Sequence, residues 1–176
     1  MIYPTEEIRR QLRKKDSEQL AKRLFILTVA FLAAIPLFAA GEIAFGAGAG
    51  PLLDVVKLIQ VASALAILLG LRVAPGGRRV VVLTVLFAVL VTVTTAASNI
   101  LRHDVLLTPL LLSMFCVGCA AMFPWEVGLQ LLVVVAAAAA TLWNEWAVGG
   151  SLDALGYPGV AMGIGLVGSV YITHLL

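Results

Sequence analysis

The chain has 176 residues, of which 61% are hydrophobic and only 12% are charged, with a formal net charge of +2 and a mean hydropathy of +1.05. Soluble globular proteins carry about 25% charged residues, so the composition excludes a soluble enzyme, a disordered tail and a protein that binds nucleic acid through a basic surface. The length allows one domain. The sequence therefore predicts an integral membrane protein.

Residues 1–23 form the first predicted element, a helix that precedes the apolar part of the chain. Ile8, Leu12 and Leu20 give it a thin apolar stripe among lysines and arginines. This pattern is typical of a helix that lies on the anionic inner leaflet or pairs with a second copy. The alternative is a solvated segment that only fixes the topology. We predict a basic, amphipathic, cytoplasmic lead-in helix.

Six apolar stretches follow, separated by breaks rich in glycine, proline and charge. Each is close to the roughly 20 residues that a helix needs to cross a hydrocarbon core about 30 Å thick. Helices are favoured because the period-2 alternation of a barrel strand is missing from the sequence. We therefore predict an all-α bundle of six transmembrane helices over residues 24–176, with spans at about 24–45, 51–71, 80–98, 105–123, 127–147 and 158–176.

The basic residues predict the orientation of this bundle. Seven precede the first span and three follow the second (Arg72, Arg78 and Arg79), so ten of the twelve lie on one side. The positive-inside rule then places both termini in the cytoplasm, with the bundle in the inner (plasma) membrane. Because no basic or polar segment follows the last span before Leu176, we expect the native protein to continue into the cytoplasm. The alternative is a hydrophobic C-terminus.

Polar and ionisable side chains are costly within spans, so each is a candidate functional residue. They gather near the predicted outer side, where a shallow vestibule would suit a small amphipathic or lipid-like ligand. The alternative is that Asp54 and Lys57 pair locally, that Trp143 and Trp146 form an interfacial belt, and that the third loop is only hydrated. The candidate ligand-binding residues are Glu42, Asp54, Lys57, Gln60, Asn99, Arg102, His103, Asp104, Asn144, Glu145 and Trp146.

Catalytic and metal sites are not indicated by the sequence. Cys116 and Cys119 form a C-x-x-C pair in the fourth span, but a second pair is missing and the apolar setting favours packing over metal binding or redox chemistry. His103 and His174 fall on opposite sides of the predicted bundle, which excludes a shared haem. We predict no enzymatic activity, no cofactor and no metal for this chain.

Span six is rich in glycine. Gly159 and Gly163 make a G-x-x-x-G motif, which permits close approach between membrane helices. The functional interpretation is a homodimer seam on the helix that leads towards the cytoplasm. The alternative is packing within a single bundle.

The predicted inner turn Met122–Gln130, with Phe-Pro-Trp at 123–125, and the preceding Leu111–Ala121 carry a resemblance. Together they resemble the N-terminal six-helix membrane domains of bacterial signalling proteins, which precede a nucleotide cyclase, a diguanylate cyclase or a histidine kinase. The general layout of the chain agrees. The resemblance implies a sensory or regulatory input domain, with any enzyme activity located beyond Leu176, and it transfers no catalytic residue.

Three functions remain open at this point. The favoured one is a dimeric sensor domain that passes a change from the outer vestibule through span six. The second is a small transporter or channel subunit, which is less favoured because the middles of spans three, five and six hold no ionisable residue. The third is a membrane protein that binds a lipid or a quinone.

Overall fold

The computed structural model describes residues 6–44, 50–73, 77–123, 126–149 and 156–175, with side chains from Lys15 onward apart from 157 and 158. These ranges form six α-helices, which confirms the predicted all-α class. The helices are α1 (Glu6–Ala44), α2 (Pro51–Val73), α3 (Arg78–Leu101), α4 (Leu107–Met122), α5 (Val127–Val148) and α6 (Gly156–Leu175).

Four of these helices contain segments long and apolar enough to cross a membrane. They are Lys15–Ala44 within α1, and the whole of α2, α3 and α5. Helix α4 and the apolar part of α6, Gly159–Leu175, are shorter. The chain thus has the helices expected of a membrane protein, and the arrangement in six spans stays a prediction.

The lead-in and the first predicted span form one continuous helix. The prediction separated residues 1–23 from 24–45, whereas α1 runs from Glu6 to Ala44 over 39 residues. At a rise of 1.5 Å per residue it is about 58 Å long, almost twice the thickness of a hydrocarbon core. Helix α1 is therefore longer than one membrane crossing requires. Residues 1–5 and Phe45 lie outside the described part.

Helix α3 occupies the centre of the bundle. It packs against α1, α2, α4 and α5, while α6 packs chiefly against α4 and also touches α5. Phe87 of α3 is 2% exposed. It meets Phe31 of α1 edge-on, with ring centroids 5.7 Å apart, and lies 6.3 Å from Phe115 of α4. Aromatic pairs at such distances stabilise a core beyond the area that they bury.

Polar contacts join the helices at the end of the bundle where α4 ends and α5 begins. Gln130 of α5 is buried and donates to the carbonyl of Cys116 at 3.0 Å and to Ser169 Oγ of α6 at 3.1 Å. Arg23 of α1 donates to the carbonyl of Met122 at 2.8 Å. Cys116 and Cys119 are both buried free thiols. The C-x-x-C pair of α4 thus lies in the packed interior of the bundle, and the Cys116 carbonyl accepts the hydrogen bond from α5.

Large apolar side chains are exposed on all six helices, including Leu37, Ile43, Val73, Met114 and Ile164. Soluble monomers rarely show contiguous apolar surface of this extent. A helical surface of this kind is stable in lipid, where backbone groups are already paired within each helix.

Two glycines of α6 lie in contrasting surroundings. A Cβ added to Gly165 would lie 2.8 Å from Ser113 Cβ on α4, whereas a Cβ added to Gly163 would have nothing within 4 Å. Gly165 therefore permits the close packing of α6 on α4. Gly163 of the predicted dimer seam lies on a part of α6 that the described bundle leaves uncovered.

We expect Gly165→Ala to destabilise the bundle, by about 1–3 kcal/mol, because the new methyl group must push α6 away from α4. Gly163→Ala is the matched control, and it should keep or raise stability since alanine favours the helix. Thermal unfolding of both variants in the same detergent checks this. Equal midpoints would contradict the described packing of α6 on α4.

Candidate functional site

An ion cluster joins three helices at one end of the bundle. Glu42, near the end of α1, pairs through Oε2 with Lys57 Nζ of α2 and through Oε1 with Arg102 Nη2. Arg102 is the C-cap of α3. The side chains are 5%, 15% and 24% exposed, respectively. We call Glu42, Lys57 and Arg102 the Glu42 cluster.

A cavity of about 100 Å³, partly open to the outside, adjoins this cluster. It lies between α1, α2 and α3, with one side chain from α4, and we call it the Glu42 cavity. Its polar lining consists of the cluster with Gln60, Thr95, Ser98 and Asn99, and its apolar lining of Phe31, Ala34, Ile35, Phe38 and Leu111. The cavity is therefore amphipathic, with a charged cluster and with aromatic and aliphatic walls.

Helical periodicity explains why these residues meet. On α1 the lining residues Phe31, Ala34, Phe38 and Glu42 are three or four positions apart, so they share one face. On α3, residues 95, 98, 99 and 102 follow the same spacing. Each of these two helices thus contributes one stripe, with the charged residue at its end.

Gln60 is held between α2 and α3 by its amide. Its Nε2 donates to Thr94 Oγ1 at 3.0 Å, and the Thr94 hydroxyl donates in turn to the carbonyl of Leu90 at 2.8 Å. This chain of hydrogen bonds orients the Gln60 amide beside the cavity.

Thr108, at the start of α4, is the centre of a second polar network. Its hydroxyl oxygen accepts from Asn99 Nδ2 at 2.9 Å and from Asn144 Nδ2 at 2.8 Å, and the Asn144 amide also donates to the carbonyl of Asp104 at 3.0 Å. Thr108, Asn99 and Asn144 are all buried. The network therefore joins α3, α4 and α5 directly behind the cavity.

His103 follows the C-cap of α3 in the left-handed conformation, with φ of 54°. The amide of His103 donates to the carbonyl of Ile100 at 3.0 Å, and that of Asp104 to the carbonyl of Asn99 at 2.9 Å. This is the Schellman arrangement, in which glycine is usual and histidine is among the residues that tolerate a positive φ. His103 thus ends α3 and is exposed.

Asp104 lies three residues before α4, and its charge influences the pKa of Arg102. Its Oδ1 accepts from the amides of Leu106 and Leu107, both at 3.0 Å, which is how a side chain caps a helix N-terminus. Burial lowers the pKa of Arg102, and the charge of Asp104 opposes this by raising it. Arginine does not lose its proton in proteins, so the guanidinium carries its positive charge.

Glu145, near the end of α5, is a buried carboxylate at 4% exposure. Among the described residues, neither of its oxygens has a hydrogen-bond partner, and the same holds for Asn144 Oδ1. A buried carboxylate without a donor carries the full cost of its desolvation. Glu145 does not line the Glu42 cavity.

The structure brings five of the eleven predicted ligand-binding residues together in one cavity. They are Glu42, Lys57, Gln60, Asn99 and Arg102. The other six lie elsewhere: Asp54 and His103 are exposed, Asp104 caps α4, Asn144 and Glu145 are buried in α5, and Trp146 is 81% exposed. Lys57 pairs with Glu42 and not, as the alternative interpretation had it, with Asp54.

Sequence reasoning missed the hydroxyl residues of this region. Thr95 and Ser98 line the cavity, and Thr108 connects two asparagines. The helical spacing of Thr95 and Ser98 with Asn99 and Arg102 was the available signal. Within the described ranges, His, Cys, Asp and Glu side chains do not gather in threes as a metal site would need.

Substitutions at two neighbouring residues of α5 should change the stability of the protein in opposite directions. Asn144→Ala should destabilise the protein, by about 1–3 kcal/mol, because Thr108 and the Asp104 carbonyl lose a donor. Glu145→Gln should raise the thermal midpoint, since it removes a buried charge that has no described partner.

Thermal unfolding at neutral pH checks both variants, with the exposed Glu18→Gln as the matched control that should leave the midpoint unchanged. A lower midpoint for Glu145→Gln would show that the carboxylate stabilises the fold.

Comparisons with known proteins identify no relative of this chain. No family model matches the chain, and no curated protein or solved structure is significantly similar to it. Pro124 and Trp125, which carry the resemblance to signalling proteins, lie outside the described residues. The Glu42 cavity and the residues around it are therefore the features that point to a function.

Proposed function

We propose that this chain is the membrane-embedded input domain of a bacterial signal-transduction protein, of the nucleotide cyclase or histidine kinase type, and that it binds a small amphipathic molecule in the Glu42 cavity. The observation that carries the proposal is the lining of that cavity, which combines a charged cluster with apolar walls. Binding pockets for small molecules combine mostly apolar walls with a few polar groups that fix orientation.

The proposed topology has six spans with both termini in the cytoplasm of a homodimer in the inner membrane. It is supported by the ten of twelve basic residues that fall on one side of such a bundle. In this topology the Glu42 cluster lies near the outer face. An amphipathic molecule can then reach the cavity from the outer leaflet, with its polar end towards the headgroups.

A packing route leads from the cavity to the last helix. Leu111 of α4 lines the cavity, and Ser113, two residues later, packs against Gly165 of α6. Helix α6 has α4 as its chief neighbour. A ligand that displaces α4 therefore moves α6, the helix that would lead to a cytoplasmic module.

The binding proposal is tested by filling the cavity. Ala34→Leu places a larger side chain in the lining, so the affinity for an octyl amphiphile should fall by about tenfold or more. Ala33→Leu is the matched control because Ala33 is exposed and adjoins Ala34 on the same helix. The probes are 1-octanol and octanoate, and the readout is the thermal midpoint against probe concentration in phosphatidylcholine nanodiscs, corrected with empty nanodiscs.

Equal loss of binding in both variants, or none in either, would place the amphiphile elsewhere on the protein. Failure of both probes to bind the unmodified protein would contradict the proposed function itself.

The signalling part of the proposal predicts movement of α6. A fluorophore attached at His174→Cys, in a Cys116→Ala/Cys119→Ala background, should change its emission when octanoate or 1-octanol saturates the cavity. The same dye at Lys22→Cys of α1 reports any general change in the bilayer. If the ligand saturates the cavity and the emission at position 174 does not change differently from that at position 22, the protein binds the ligand but the signalling role is contradicted.

A further inference from the structure

The charge balance of the Glu42 cavity narrows the class of molecule that it binds. Two cations, Lys57 and Arg102, share the single carboxylate of Glu42. The cluster therefore carries a net charge of +1 in a partly buried setting. An uncompensated charge in such surroundings is costly, and it favours a second anion close by.

The other carboxylates near the cluster do not supply that anion. Asp54 is in the exposed first turn of α2 and, in the described structure, forms no ion pair with Lys57. Asp104 acts on Arg102 only from beyond ion-pair distance, while its Oδ1 accepts two backbone amides. Glu145 lies outside the cavity lining. The positive charge thus faces the cavity without a second carboxylate in contact.

Arg102 meets the Glu42 carboxylate through Nη2, and the described residues give it no second ion pair. A guanidinium presents its N–H groups in a planar fork that matches the oxygens of a carboxylate or a phosphate. Arg102 and Lys57 both line the cavity, so an anionic head group placed there meets both cations.

The apolar lining residues of α1 follow one face of that helix. From Glu42 to Phe31, α1 rises by about 16 Å, and the lining residues between them lie on one face. Phe38, Ile35 and Ala34 line this face, and Leu111 lies opposite on α4. A narrow wall of this kind suits one alkyl chain lying along α1 with its head at the cluster.

We infer that the ligand of the Glu42 cavity is an amphipathic anion, a single-chain molecule with a carboxylate or phosphate head held by Arg102 and Lys57. This inference rests on the proposed function, since it names the ligand class of the same cavity. Glu42 then acts as the internal counterion that occupies both cations when the cavity is empty, and the ligand shares them with it.

The test compares four octyl amphiphiles that differ only in the head group. They are octanoate, octyl phosphate, 1-octanol and octylammonium, each titrated against the full chain in neutral phosphatidylcholine nanodiscs with empty nanodiscs as blanks. Octanoate and octyl phosphate should bind about tenfold tighter than 1-octanol, and octylammonium should bind most weakly. The tighter of the two anions assigns the head group.

Two substitutions at the cluster should act in opposite directions. Lys57→Met should bring octanoate down to the affinity of 1-octanol, whereas Lys22→Met, which removes an exposed lysine elsewhere on α1, should keep the tenfold preference. Glu42→Gln removes the internal counterion, so octanoate should bind several-fold tighter than to the unmodified protein. Binding of 1-octanol monitors the integrity of the cavity in every variant.

The possible outcomes separate the inference from the proposed function. If 1-octanol binds as tightly as octanoate, the cavity is a binding site without a preference for anions and the inference fails alone. If none of the four binds, the proposed function fails as well. If Lys57→Met abolishes 1-octanol binding too, Glu42→Gln decides, and weaker octanoate binding in that variant overturns the inference.

Discussion

The Glu42 carboxylate is the contact on which one end of this bundle depends. Its two oxygens hold Lys57 of α2 and Arg102 at the end of α3, so three helices converge on one buried group. Removing one partner from such a cluster leaves a charge in poor solvent, which is why buried ion pairs are costly to break even when their net contribution to stability is small. The cavity lies beside this cluster and is lined by the same three helices.

The all-helical class follows from composition alone, because a chain that is 61% hydrophobic and lacks strand alternation can satisfy its backbone in lipid only as helices. The helix boundaries were harder to predict from the sequence. Helix propensity continues through the charged residues before Leu24, so the sequence offered no stop signal where the prediction ended its lead-in helix, and α1 runs through. The order of packing, with α3 in the centre, depends on contacts between distant segments and leaves no local pattern.

Only part of the candidate site could be predicted from the sequence. Charged and amide side chains in apolar stretches stand out, so Glu42, Lys57 and Arg102 were found, but nothing in the sequence states which of them meet. Hydroxyl residues such as Thr95 and Ser98 do not stand out, because serine and threonine are common in membrane helices. Asp54 and Trp146 were named for their position near the same predicted surface, and the fold places both on its exposed side.

Most hydroxyls inside this bundle are paired with their own helix. Those of Thr28, Thr84, Thr92, Thr141 and Thr173 each donate to the carbonyl four residues earlier. Such pairing satisfies the group without reference to a neighbouring helix. The interior between the Glu42 cluster at one end and Gln130 at the other therefore contains polar atoms but few hydrogen bonds between helices. Adjacent helices can shift there without breaking these five hydrogen bonds, because the donor and the acceptor of each bond belong to the same helix and move together.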